Sequence, residues 1–314
     1  MPERLIERGI GETRFARIVD ERIVEARILV DGIVPAGTKL MGRLKRSGLQ
    51  LVADVEGQEY LLPDGALEVT EGAPLKIEVT REIIPGREFW KRPLAKQIHG
   101  ATGTVDRIRE REIAFPSDTN ALNDSGWYDV IDEARSGIVS FEGGELRIFP
   151  TPAMTLIDVD GSLPPEELAV RAAYAVTRAI LRLGIGGSIG IDFPTIQGKA
   201  SRAQIGSAID EILPKPFERT SLNGFGFLQV VRPRRHASLI ELAQDSAGFE
   251  VRALLRRIAF EPPGAKRLVA HPAVVKLLET HTDWIQELSR QVGGVVELRV
   301  DAALPMSGGY AEAL

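Results

Sequence analysis

Hydrophobic and polar positions along this chain change rhythm at Thr151. Upstream, short runs rich in β-forming residues are broken by turn signals. Downstream, apolar runs of strand length alternate with stretches of helical spacing. Residues 13–30 read as two strands joined at Asp20-Glu21. Residues 38–45, 49–55, 59–62 and 75–84 read as four more, punctuated by Ser47-Gly48, Glu56-Gly57, Pro63-Asp64-Gly65 and Pro85-Gly86. Strands this short and close predict a trimmed barrel of the oligonucleotide-binding kind over residues 36–84, within a β-rich region of residues 1–97. Residues 98–150 are less regular. They hold the polar loop Pro116-Ser117-Asp118-Thr119-Asn120 and two short strand-like runs parted by Gly143-Gly144, and are expected to form a connecting layer. From residue 151 to 314 the pattern predicts strands at 153–159, 187–193, 223–231, 266–270 and 295–300. Helices are expected at 165–183, at 201–213, from 238, and at 272–291. This is the α/β signature, so the fold class of the whole is α/β (α+β mixed).

The sharpest local pattern is Thr155-Leu156-Ile157-Asp158-Val159-Asp160-Gly161, a crossover helix, then Gly187-Ser188-Ile189-Gly190-Ile191-Asp192-Phe193. Side chains alternate along a strand, so Asp158 and Asp160 share one face while Ile157 and Val159 share the other. The helix opens with Pro164-Pro165 and Glu166-Glu167, which suit its positive end. Leu168, Ala172, Ala175, Ala179 and Leu183 form its core stripe. A strand–helix–strand unit of these lengths is a right-handed crossover between parallel strands. Asp158 and Asp192 should then emerge together at strand ends, on the edge where open α/β sheets bind ligands. Gly190, on the face of Asp192, is expected to leave room for a ligand. Two carboxylates at about 4 Å repel by roughly 4 kcal/mol at an effective dielectric of 20, so such a pair implies a shared proton or a cation. Mg²⁺, held through one or two carboxylates with water and phosphate, matches that demand. The plainer reading of each aspartate is a turn former or helix cap.

Composition narrows the chemistry. The 314 residues are ample for two domains, and 44% hydrophobic with 26% charged is ordinary for a globular chain. There is no cysteine, which excludes disulfides, thiolate zinc sites and cysteine nucleophiles. No apolar run approaches the roughly 18 residues needed to cross a bilayer, and Met1-Pro2-Glu3-Arg4 is no signal-peptide start, so a cytoplasmic protein without membrane contact is expected. The net charge of −5 argues against non-specific nucleic-acid binding over the whole surface but allows a local basic channel. Its candidates are Lys199, Arg202, Arg232, Arg234 and Arg235 with His236, each also readable as a solvated loop or surface residue. Arg171, Arg178 and Arg182 form a solvated helix stripe, with Glu167 paired to Arg171. Phe225 and Phe227 suit either base stacking or core. In the barrel, Lys45, Arg46 and Tyr60 are candidate RNA contacts or ordinary exterior.

These residues resemble the ribonuclease E/G family. The likeness is carried by Thr151-Pro152-Ala153-Met154-Thr155-Leu156-Ile157-Asp158-Val159-Asp160, by Gly186-Gly187-Ser188-Ile189-Gly190-Ile191-Asp192-Phe193, and by Asn223-Gly224-Phe225-Gly226-Phe227-Leu228. Gly42-Arg43-Leu44-Lys45-Arg46 and Gly48-Leu49-Gln50 add to it. The resemblance implies an RNase H-like layer carrying an inserted RNA-binding barrel, then a deoxyribonuclease I-like catalytic domain. It implies that Asp158 and Asp192 are catalytic and hold Mg²⁺ (or Mn²⁺), with Asp160 in support. The reaction implied is water attack on a phosphodiester of single-stranded RNA, leaving a 5′-phosphate and a 3′-hydroxyl. Four departures stand out. Asp160 takes a position usually held by asparagine. The Cys-Pro-x-Cys zinc link and the dimer it ties are missing, so no zinc is expected. The middle region, with its five-prime-phosphate pocket, is much shortened. One barrel aromatic is replaced near Ala53, with Tyr60 expected to keep the other. Two functions are therefore expected to compete: a reduced Mg²⁺-dependent endoribonuclease, and a non-catalytic RNA-binding or regulatory protein keeping the fold. A third, another phosphate-handling α/β enzyme, lacks any glycine-rich phosphate loop.

Overall fold

The computed structural model describes residues 3–85, 91–99, 109–114, 116 and 121–314. Gly86 and residues 117–120 of the polar loop lie outside them. The chain forms two compact units that interleave in sequence: residues 1–31, 108–135 and 241–314, and residues 32–107 and 136–240.

In the first unit, β1 (Glu3–Arg8), β2 (Glu12–Val19) and β3 (Arg22–Val30) make an antiparallel meander. In the second unit, β4 (Lys39–Ser47), β5 (Gln50–Val55), β6 (Gln58–Leu61), β7 (Pro74–Arg81) and β8 (Leu94–Gln97) close a barrel in the order β4-β5-β6-β8-β7. The fifth strand lies beyond the expected end of the barrel. It pairs with β7 antiparallel and with β6 parallel. Inward-facing Leu44, Ala53, Leu75, Ile77 and Val79 fill the barrel. The chain returns to the first unit with β9 (Arg109–Ile113), parallel to β1, then α1 (Ala121–Asp124) and α2 (Trp127–Ser136).

The remaining sheet of the second unit carries the chemistry. Its strands are β10 (Ile138–Phe141), β11 (Gly144–Pro150), β12 (Thr155–Gly161), β13 (Gly187–Asp192), β14 (Glu218–Arg219) and β15 (Phe227–Arg232), ordered β10-β11-β12-β13-β15-β14. The hairpin β10–β11, read from sequence as connecting layer, belongs to this sheet. Helix α3 (Pro165–Arg182) joins β12 to the parallel neighbour β13, and α4 (Lys199–Ile212) follows. The buried face of the sheet holds Leu146, Ile148, Ile157, Val159, Ile189, Ile191, Leu228 and Val230. Helix α3, whose Ala169, Ala172, Ala173, Val176 and Ile180 are buried, packs on β10–β12. Small residues let the helix approach closely, and burying each larger one contributes roughly 1.5–3 kcal/mol.

The chain ends with α5 (Leu239–Ala243), α6 (Ser246–Ala259), β16 (Lys266–Ala270), α7 (Pro272–Thr280), α8 (Thr282–Val292), β17 (Val296–Val300) and β18 (Tyr310–Ala313). The single helix expected at 272–291 is two. His281 leaves helical geometry at φ −118°, ψ 67°, and its ring stacks on Trp284 at 4.0 Å. Among the described residues no helix is long and apolar enough to cross a membrane.

Candidate active site

The site is built by register. Parallel pairing sets Asp158 directly beside Asp192, so both carboxylates project from the open face of the sheet, opposite α3. Neighbouring strands lie about 4.8 Å apart, which keeps the two acids within reach of one ion or of a bridging water. Asp192 is exposed and Asp158 half-buried. Burial pushes the Asp158 carboxyl up, and the charges of Asp160 and Asp192 push it further. A cation placed there would relieve that strain, and hard carboxylate oxygens are the donors a divalent ion of the Mg²⁺ class takes. The pair fits such an ion. Asp160 does not complete a triad: among the described residues no three His, Asp or Glu side chains converge as a metal-holding group. Asp160 turns instead toward Arg147, whose Nε lies 3.9 Å from Oδ2.

Arg147 went unnoticed in the sequence. It is the antiparallel partner of Asp158 across β11 and β12, and it pairs with Glu145 at 2.7 Å. A row Arg147–Asp158–Asp192–Phe227 therefore crosses the open face, set by the registers of three strand pairs. The signal for Arg147 was present: a hairpin turn at 151–154 pairs 150 with 155, and counting outward reaches 147 and 158.

Several residues expected at the site lie away from the aspartates or are engaged by other partners. Gly190 leaves no space for a ligand; a Cβ there would lie 2.6 Å from Phe227, 3.0 Å from Met154 and 3.1 Å from Leu156, which fill the position. Arg232 pairs with Gly187, the far end of β13 from Asp192, because β15 runs antiparallel to β13. Five residues of strand separate the two ends, about 17 Å. Arg234 follows Arg232 and packs on Gly186 and Gly187, so neither arginine lies beside the aspartates. Tyr60 is only 3% exposed and belongs to the barrel core, so it offers no stacking face. Lys45 is exposed but engaged by Asp54 at 2.8 Å. His236 contacts the Ala237 carbonyl through Nδ1 at 2.9 Å.

Lys199 and Arg202 open α4, reached from Asp192 through the loop of residues 193–198. A turn at residues 223–227 stands at the same end of β13. The Asn223 side chain accepts from the backbone N–H groups of Phe225 (2.9 Å) and Phe227 (3.0 Å), and the Phe193 N–H donates to the Gly226 carbonyl. This cradle leaves the Phe225 ring 86% exposed at the Asp192 end of the sheet. Gly226 has φ +94°, and any Cβ would strike the Phe193 carbonyl. Gly226→Ala is therefore expected to cost about 1–3 kcal/mol and to distort the Asp192 loop, measurable by urea denaturation.

No protein-family model matches the chain, and no curated protein matches its sequence. The likeness to the ribonuclease E/G family rests on the motifs quoted above.

Proposed function

We propose that this chain is a metal-dependent endoribonuclease of the ribonuclease E/G type, acting on single-stranded RNA. The observation that carries the reading is the register of Asp158 and Asp192 on adjacent parallel strands, both aimed from the open sheet face. On this reading the sheet β10–β15 with α3 and α4 is the deoxyribonuclease I-like catalytic layer. The meander β1–β3 with β9 is the RNase H-like layer, and the inserted barrel is of the oligonucleotide-binding type. Asp158 and Asp192 would hold Mg²⁺ or Mn²⁺, which when bound supplies charge neutralisation at a phosphodiester and an activated water. Lys199 and Arg202, at the N-terminus of α4, would hold backbone phosphates. Phe225 offers a solvent-facing ring for a flanking base. Arg147 bonds Glu145 and lies 3.9 Å from Asp160, so its charge partly offsets the acids beside the pair. The products are a 5′-phosphate and a 3′-hydroxyl. The test is cleavage of an end-labelled, unstructured RNA with Mg²⁺, with the product ends typed by phosphatase and ligase. Intact RNA across Mg²⁺ and Mn²⁺ titrations overturns the reading.

One observation favours a second reading, a non-catalytic RNA-binding or regulatory protein. Arg147 already places a positive charge opposite Asp158, and it lowers the Asp158 carboxyl against the neighbouring acids. A site partly neutralised from within needs a metal less. RNA retained on the protein without cleavage in either metal identifies that case.

A further inference from the structure

We propose that a cavity in the first unit binds a small aromatic anion. The cavity measures about 320 Å³, at the small end of sites for drug-sized molecules. It opens among β2, β3, α2, α6 and the chain near Gly309. Its walls carry the ring of Tyr128 and four arginines against three carboxylates.

The charge follows from counting. Four guanidinium groups line the cavity, those of Arg14, Arg135, Arg256 and Arg257. Three carboxylates line it, those of Glu12, Asp132 and Glu250. Behind the lining, Glu7 bonds Arg14 and Arg256, Arg252 bonds Glu12, and Asp31 feels the charges of Arg14 and Arg252, so the wider cluster balances at five cations and five anions. Within the lining itself one positive charge remains, that of Arg257, an exposed residue. Arg257 hydrogen-bonds the Gly309 carbonyl and has no carboxylate partner among the described residues. Arg256 is 3% exposed; its Nε and Nη2 donate to Glu7 at 2.8 and 3.1 Å, while its buried Nη1 has no hydrogen-bond partner. A buried donor left without an acceptor points to a group that would supply one.

The planar preference comes from the rings. The Arg256 guanidinium lies 5.9 Å from the Trp127 ring centre and 5.6 Å from that of Tyr128. Trp127 is buried, whereas Tyr128 is exposed and presents a ring at the cavity. A flat ring stacked on Tyr128, with its anionic group toward Arg256 and Arg257, satisfies both features. A carboxylate and a phosphate share this chemistry.

The experiment is calorimetric titration of the full chain with sodium benzoate and, separately, adenosine 5′-monophosphate, with tryptophan fluorescence as a second readout. Saturable binding of either is expected, and the arm that binds identifies the anion. Arg257→Gln, at an exposed position, and Ala253→Leu, which narrows the cavity, are each expected to weaken binding roughly tenfold. Failure of both probes to saturate, or binding unchanged in both variants, overturns the proposal. RNA cleavage is not the readout, so this result is independent of the nuclease reading.

Discussion

Replacing Asp192 by asparagine is expected to reduce RNA cleavage by about 10²–10³-fold, the scale on which lost electrostatic stabilisation of a transition state is felt. Asparagine keeps the shape of the side chain and the β13 backbone, so the melting temperature should not fall. The charge bookkeeping gives a second readout. In the native site the Asp158 carboxyl is raised by burial and then by Asp160 and Asp192. A carboxyl raised on folding opposes stability when ionised; that penalty is absent at low pH and appears as pH climbs through the raised value. Removing the Asp192 charge brings Asp158 back toward its ordinary range and shrinks the penalty. Manganese binding competes with protonation of the pair, so its affinity should fall as pH drops into the carboxylate range. Asp192→Asn should weaken manganese binding and flatten that pH dependence together, as read by calorimetry. Unchanged turnover with unchanged manganese affinity would remove Asp192 from the mechanism.

The half of the site built by local chain order was legible in the sequence. Strand, amphipathic helix and strand between 155 and 192 left one plausible connection, and the register of Asp158 with Asp192 followed. What depended on strand direction was not legible. Nothing between Ala200 and Phe227 indicates that β15 returns antiparallel, and that single fact moves Arg232 to the far end of the sheet. The filling of the Gly190 position was hidden for a related reason, because Met154, Leu156 and Phe227 come from three separate segments. In the barrel, Tyr60 carries the composition of an RNA contact but faces inward, since alternation along β6 puts its side chain on the core side. The ion pairs that link β1 and β2 to α6 span about 240 residues of chain and left no local trace.

Those ion pairs underlie the second large effect: Glu7→Gln is expected to destabilise the first unit by about 3–5 kcal/mol. Glu7 is buried and accepts from Arg14 at 2.6 Å and from Arg256 at 2.8 and 3.1 Å. Glu12 accepts from Arg14 at 2.6 Å and from Arg252 at 3.0 Å. Glutamine retains an acceptor and the volume but leaves the two arginines short of one negative charge in a buried setting. Burial alone would push the Glu7 carboxyl up. The Arg256 hydrogen bonds and the charges of Arg14 and Arg256 outweigh it and hold Glu7 below the ordinary carboxylate range. A carboxyl depressed on folding contributes stability that is complete above its unfolded value, near 4.5, and is lost as pH falls toward the folded one. The native protein should therefore lose stability below about pH 4.5 with a slope that Glu7→Gln removes. Trp127 and Trp284 both lie in this unit, so tryptophan fluorescence during urea denaturation, measured in a Trp90→Phe background, follows its unfolding. A loss under about 1 kcal/mol, with the acid slope intact, would mean that water or rearranged partners satisfy the arginines as well as Glu7 does.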